Sequence, residues 1–238
     1  MKEKRVHAPI PIVSFKPLTH PAEIIKSIER SDIEGANVVL INMPLRETAR
    51  PNTTPEGPLL LVTNLQQNYG VNATIIDLNV YRIKDELAKK RFLKWGRHLT
   101  YGEVFSLIQR HITFHGEPAL VGFSGKITTL KWQEEVAKII RQIIPDTFLV
   151  SGGGLATELK TDLFTYIPEL DGVAHSEGDD VIIKIVYDAK VIKEKGIRQA
   201  LSDGKLQPYC LGEINGRHRF MYEGNRPRDL NALPYADL

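Results

Sequence analysis

Five stretches of strand length recur along this chain: NVVLINM (37–43), ATIIDLN (73–79), ALVGFS (119–124), TFLVSG (147–152) and DGVAHS (171–176). Their aliphatic residues, many of them β-branched, run almost continuously instead of alternating with polar ones. That is the pattern of strands covered on both faces. Helical patterns fill the gaps. EGPLLLVTNLQQNYG (56–70) has Pro58 near its start, where proline is tolerated, and a closing glycine suited to a C-cap. TLKWQEEVAKIIRQIIP (129–145) sets Trp132, Val136, Ile139, Ile140 and Ile143 on one stripe and closes on Pro145, and DDVIIKIVYDAK (179–190) follows the fifth strand. Strands alternating with helices imply crossover connections and a parallel sheet. The expectation is an α/β domain over 37–190 with a five-stranded parallel, doubly wound sheet in the order 2-1-3-4-5.

The flanks are less regular. Residues 1–36 read as an extension with a short helix near PAEIIKSIERS. Between the second and third strands, helices are expected at 83–96 and 102–116. The first carries Lys84, Lys89, Lys90, Arg91, Lys94 and Arg97, either as a solvated face or as a docking surface. Residues 191–238 hold a helix (192–203), a hairpin (206–223) turning at Asn215-Gly216, and a linker. With 42% apolar and 25% charged residues the chain has the make-up of a globular protein, and a net charge of +2 gives no push toward nucleic acid or membrane. No apolar run reaches the roughly 20 residues of a bilayer span. Pro9 and Pro11 break the short apolar start, so no signal peptide and a cytoplasmic location are expected. One cysteine, Cys210, leaves no disulfide framework, no cysteine-rich zinc site and no iron–sulfur cluster made from this chain.

In open parallel sheets ligands bind beyond the carboxyl ends of the strands. The loop after the first strand, NMPLRETARPNTTPEG (42–57), lacks G-x-G-x-x-G, so a nicotinamide site is not expected; a P-loop motif and an acidic receiver cluster are absent too. No serine nucleophile elbow in triad order is recognised. Two small-residue loops remain: Ser124-Gly125-Lys126 with Thr128 and Thr129, and Gly152-Gly153-Gly154. Glycine lets a ligand lie on the backbone, and the hydroxyls can donate and accept. The competing reading makes the glycines a tight turn and Ser124 a helix cap.

These residues resemble a known family. GFSGKITT followed by GGG at the next strand end is similar to the cobalamin-binding fold, which has a serine after its third strand and a Gly-Gly after its fourth. TPEGPLLLVTNLQQNYGVNATIIDLN, LDGVAHSEGDD and the final RPRDLNALPYADL resemble the amino-terminal half of cobalamin-dependent radical SAM enzymes. There a Gly-Glu-Gly segment follows the fifth strand, and a Leu-x-x-Leu-Pro-x-Pro linker leads into the radical SAM barrel. The resemblance covers about 37–190 and the last dozen residues. It implies a Rossmann-like cobalamin-binding domain in which Ser124, Gly125, Lys126, Thr128, Gly152, Gly153 and Gly154 line a slot for the nucleotide tail. Glu177 and Gly178 would form its rim, and loop 42–57 would lie under the corrin.

The departures refine this expectation. Relatives that coordinate cobalt from below carry a histidine after the first strand, whereas loop 42–57 has none. The resemblance therefore implies base-off cobalamin without a histidine ligand, with Asn42, Met43, Pro44, Arg46, Asn52 and Thr53 beneath it. Lys126 stands where leucine is usual, and His175-Ser176 where Arg-Gly is usual. Cys-x-x-x-Cys-x-x-Cys is absent, so the iron–sulfur cluster and S-adenosylmethionine would belong to a further domain or a separate radical SAM partner. The chain alone is expected to bind without catalysing, within a methyltransferase-type system. Two alternatives are a flavodoxin-like interaction domain acting as a scaffold and a carrier for a nucleotide or flavin.

Overall fold

The structure, a computed structural model, describes residues 21–44, 54–79, 90, 99–224 and 233–234. The expected basic helix at 83–96, most of loop 42–57 and most of the final linker lie outside the described residues. In chain order the elements are α1 (Pro21–Lys26), α2 (Arg30–Ile33), β1 (Asn37–Asn42), α3 (Glu56–Tyr69) and β2 (Asn72–Asp77). Then come α4 (Tyr101–His115), β3 (Leu120–Ser124), α5 (Leu130–Ile143), β4 (Phe148–Gly152), α6 (Gly154–Leu159) and α7 (Leu163–Tyr166). The chain continues through β5 (Gly172–Ser176), α8 (Val181–Lys195), α9 (Ile197–Ser202), β6 (Cys210–Ile214) and β7 (Arg217–Gly224).

The five expected strands pair in parallel in the order β2-β1-β3-β4-β5, but the sheet has seven strands. The hairpin is not an appendage. Its second strand, β7, pairs in parallel with β5 from Gly172↔Phe220 to Ser176↔Gly224, and β6 closes the edge antiparallel to β7. Phe220 and Tyr222 are fully buried, so this strand completes the core. Asn215 and Gly216 both take positive φ (54° and 74°), as their tight turn requires.

Alternate residues of each strand feed two cores. On one face Val38, Leu40, Leu120, Phe148 and Val150 meet α3 and α8, together with Ile25 and Ile33 from the amino-terminal helices. On the other, Val39, Ile41, Val121, Phe123 and Leu149 meet α4, α5, α6 and α7. Local chemistry sets the helix ends. α3 stops at Gly70 in the left-handed region (φ 64°), and α4 starts with a capping box in which Thr100 Oγ1 accepts from the Glu103 N–H and Glu103 accepts from the Thr100 N–H. The helix expected at 179–190 runs on to Lys195, where Gly196 (φ 78°) ends it and the short α9 follows.

Asp171 ties the amino-terminal end of this assembly together. Its carboxylate accepts from the Leu149 N–H (2.8 Å), Arg141 Nη2 (2.6 Å) and Arg217 Nη1 (2.9 Å), joining β4, α5 and the hairpin. Asp171→Asn keeps the shape and removes the charge. It is expected to lower stability by about 1–3 kcal/mol, read as a lower urea midpoint at unchanged m-value.

Candidate functional site

A cavity of about 300 Å³ opens at the carboxyl ends of the strands, between the sheet and helices α3 and α8. Its floor is a row of small residues on one sheet face: Gly122 on β3, Gly152 on β4 and Ala174 on β5. Side chains alternate along a strand, so these three share the face that carries Leu40 and Val150. Pro58 and Leu61 of α3 and Ile182 and Ile185 of α8 form the opposite walls. Ser124, Gly153, Ser176, Glu177, Gly178 and Asp179 surround it with polar or backbone groups.

The glycines of the two loops do different work. A Cβ at Gly152 would meet nothing nearer than the Phe123 carbonyl oxygen at 3.6 Å, so this glycine leaves open space that belongs to the cavity. Gly178 is similar, with Leu61 at 3.5 Å. Gly153 has φ 82°, and a Cβ there would sit 2.9 Å from the Gly125 carbonyl oxygen. A Cβ at Gly125 would collide with Thr129 Oγ1 and Gln133 Nε2. Gly153 lets its loop pack on the Gly125 backbone, closed by the Leu155 N–H donating to the Gly125 oxygen at 3.1 Å, while Gly125 makes room for Thr129 and Gln133 of the turn and helix that follow it. Beneath them, Ser151 Oγ donates to Gln133 Oε1 at 2.7 Å between two fully buried side chains.

Of the expected site residues, Ser124, Gly152, Gly153, Glu177 and Gly178 line the cavity. Gly125, Lys126, Thr128 and Gly154 stand outside it: Gly125 in the loop-to-loop seam, and Lys126, Thr128 and Gly154 exposed. Ser124 does not cap a helix, because the next turn starts at Ile127 with Lys126 at the N-cap position, where the Lys126 oxygen accepts from Thr129 Oγ1 at 2.8 Å. Met43 is a core residue of the α4–α5 side with no exposure, and Pro44 is buried. Asn42 spends its amide on Asp77, donating from Nδ2 to Oδ1 at 2.8 Å. Neither Asn42, Met43 nor Pro44 lines the cavity. Arg46, Asn52 and Thr53 lie outside the described residues.

Sequence reasoning passed over Gly122, Ala174 and the walls from α3 and α8. A findable signal was there: small residues at or two places before the carboxyl ends of otherwise bulky strands, Gly122 and Ser124 on β3, Gly152 on β4 and Ala174 on β5.

The electrostatics are one-sided. The ionisable side chains among the described lining residues are His175, Glu177 and Asp179, with no lysine or arginine. Burial pushes the Asp179 carboxyl above its ordinary range, and the neighbouring Glu177 and Asp180 charges push it further, against an opposing hydrogen bond from its own backbone. A cavity of this size is at the lower end of small-molecule sites, and its walls are largely apolar. His175 is 5% exposed and its Nδ1 lies 3.1 Å from Ser176 Oγ. Among the described residues no group of His, Cys, Asp and Glu is arranged to hold a metal ion. No described helix is long and apolar enough to cross a membrane. No protein-family model matches the chain, and no curated protein matches it either.

Proposed function

We propose that this chain is a cobalamin-binding module of a radical SAM, methyltransferase-type system, the cavity taking the nucleotide tail and the carboxyl edge of the sheet carrying the corrin. One observation carries the reading. Gly152 and Ala174 leave open sheet facing α3 and α8, beside Gly122 whose own space is taken by the Leu40 side chain, so a planar group can slide between the layers where large side chains would interdigitate. The described residues fit the group in chemistry as well: the walls are aliphatic, and Ser124 supplies a hydroxyl at the entrance. When bound, cobalamin supplies a cobalt centre able to carry a methyl group.

In this reading the protein's own part is to bind and orient. Gly152, Ala174 and the walls from Pro58, Leu61, Ile182 and Ile185 would hold the tail, and Ser124 would offer it a hydroxyl. The catalytic cluster and S-adenosylmethionine belong to a further domain or a partner. A carrier of flavin mononucleotide or another phosphorylated nucleotide is the competing reading, and a parallel titration with flavin mononucleotide separates the two.

The test is reconstitution with hydroxocobalamin followed by desalting. A red protein holding close to one equivalent is expected, and a colourless one defeats the proposal. Electron paramagnetic resonance of protein loaded with cob(II)alamin adds the coordination. No nitrogen superhyperfine splitting is expected, since loop 42–57 has no histidine and the His175 imidazole is buried against Ser176. A triplet that disappears in His175→Ala would make His175 the ligand. Ser124→Ala is expected to weaken binding by up to about tenfold, the worth of one neutral hydrogen bond.

A further inference from the structure

Three described residues other than glycine have φ in the left-handed region: Lys160 at 47°, Ser176 at 68° and Asn215 at 54°. A Cβ disfavours that conformation, which glycine adopts freely. Asn215 belongs to the hairpin turn, where asparagine is well suited, and Lys160 joins two short turns on the surface. Ser176 alone of the three lines the cavity.

Its strained backbone is held from several sides. The Ser176 N–H donates to Thr157 Oγ1 at 3.2 Å, while the Thr157 hydroxyl donates to the Gly153 oxygen at 3.1 Å, so one threonine couples the ends of β4 and β5. On the other side Ser176 pairs with Gly224 of β7. The side chain is fixed as well: Ser176 Oγ lies 3.1 Å from Nδ1 of the buried His175, yet the residue itself is exposed. A glycine would satisfy every backbone contact without strain. The serine therefore adds one thing, a hydroxyl aimed by an imidazole at the cavity mouth.

The surroundings define what this hydroxyl can meet. Glu177 and Asp179 are the charged neighbours in the lining, and their carboxylates repel an anionic group. An uncharged carboxamide, with both a donor and an acceptor, matches a hydroxyl whose own role is set by the histidine tautomer. We propose that Ser176, oriented by His175, is a ligand-contacting residue that hydrogen-bonds a neutral carboxamide of the bound ligand. The inference rests on the cobalamin reading, in which the corrin edge carries such amides.

The experiment compares wild type, Ser176→Gly and Ser176→Ala by thermal unfolding without ligand and by titration with hydroxocobalamin. Ser176→Gly is expected to raise the unfolding midpoint by about 2–4 °C while weakening binding about 3- to 10-fold. Ser176→Ala should weaken binding equally with no gain in midpoint, because it keeps the strain and loses the hydroxyl. A Ser176→Gly protein that is more stable and binds as tightly as wild type overturns this inference and leaves the cobalamin reading standing. A Ser176→Gly protein with no gain in midpoint also overturns it, since the serine would then carry no strain to explain. Failure of the wild-type protein to bind sinks the cobalamin reading itself, and this inference with it.

Discussion

Gly152→Leu is expected to reduce cobalamin affinity by at least a hundredfold, about 2.7 kcal/mol or more, while leaving the protein at least as stable as wild type. The argument is steric. Gly152 sits on the floor of the cavity with ordinary backbone dihedrals, and a Cβ there has van der Waals room on every side. The added isobutyl group occupies the space that the tail would fill, and it buries apolar carbon against Leu61 and Ile182, which line the same cavity. Filling a cavity in this way commonly stabilises a fold. Gly153 looks like the equal choice from sequence, as the middle of three glycines, but it is unsuitable. Its positive φ and its contact with the Gly125 backbone mean that any side chain would disturb the loops, so weaker binding there would not locate the ligand. Equilibrium titration with hydroxocobalamin, paired with thermal unfolding of the apo protein, checks the prediction. Undiminished binding in a folded Gly152→Leu protein would place the ligand elsewhere.

The second large effect concerns folding. Lys184 and Asp188, one turn apart on α8, form an ion pair with almost no exposure, and Asp188 also accepts from the Tyr222 hydroxyl at 3.0 Å. Lys184 Nζ donates to the Lys205 oxygen at 2.9 Å as well, and Tyr209 stacks on Tyr222 with ring centroids 5.0 Å apart. The cluster locks α8 to β7 and so fixes the hairpin strand on the sheet edge. Burial pushes the Asp188 carboxyl up to about 6 despite the opposing Lys184 charge, and burial pushes the Lys184 ammonium down. Lys184→Met leaves a buried carboxylate without its counter-ion. At pH 8 it is expected to destabilise by about 3–5 kcal/mol, a drop of roughly 10 °C in the unfolding midpoint.

The pH dependence has a definite sign. A carboxyl whose folded pKa lies above its unfolded value contributes stability at low pH and loses it as pH rises through the folded pKa. Removing Lys184 takes away the charge that lowers the Asp188 pKa, so the rise becomes larger in the variant. The deficit of Lys184→Met relative to wild type should therefore shrink as the pH falls from 8 toward 5. Adding Asp188→Asn, which still accepts from Tyr222, should recover most of the loss. Equal deficits at pH 5 and pH 8 would mean that lost packing, and not stranded charge, sets the effect.

The five parallel strands and the described helices between them were legible because their signals are local. Continuous β-branched runs mark strands buried on both faces, and Gly70 and the Thr100–Glu103 pair mark helix ends through the chemistry of single turns. The small residues at Ser124 and Gly152 marked the right end of the sheet, whereas the strand order 2-1-3-4-5 would put a crevice between the first and third strands and the cavity floor lies across β3, β4 and β5. Other expectations failed for want of long-range information. Asn215-Gly216 announced a hairpin, yet nothing local said that Phe220 and Tyr222 would enter the core beside β5. Nothing local marks Lys184 and Asp188 as buried, since β7 and Tyr209 cover them only in the fold.

The division among the glycines makes the same point most sharply. By itself the sequence determined that backbone would lie bare at two adjacent strand ends, because glycine has no Cβ wherever it falls. Tertiary structure alone decided which of those bare surfaces faces a neighbouring loop and which faces an opening. Gly153 closes on the Gly125 backbone, Gly125 on Thr129 and Gln133, and Gly122 on Leu40, whereas Gly152 lies open beside Ala174 beneath α3 and α8. The absence of a side chain is a local fact, but what occupies the vacated volume depends on elements that are distant in sequence and brought there by packing the sheet.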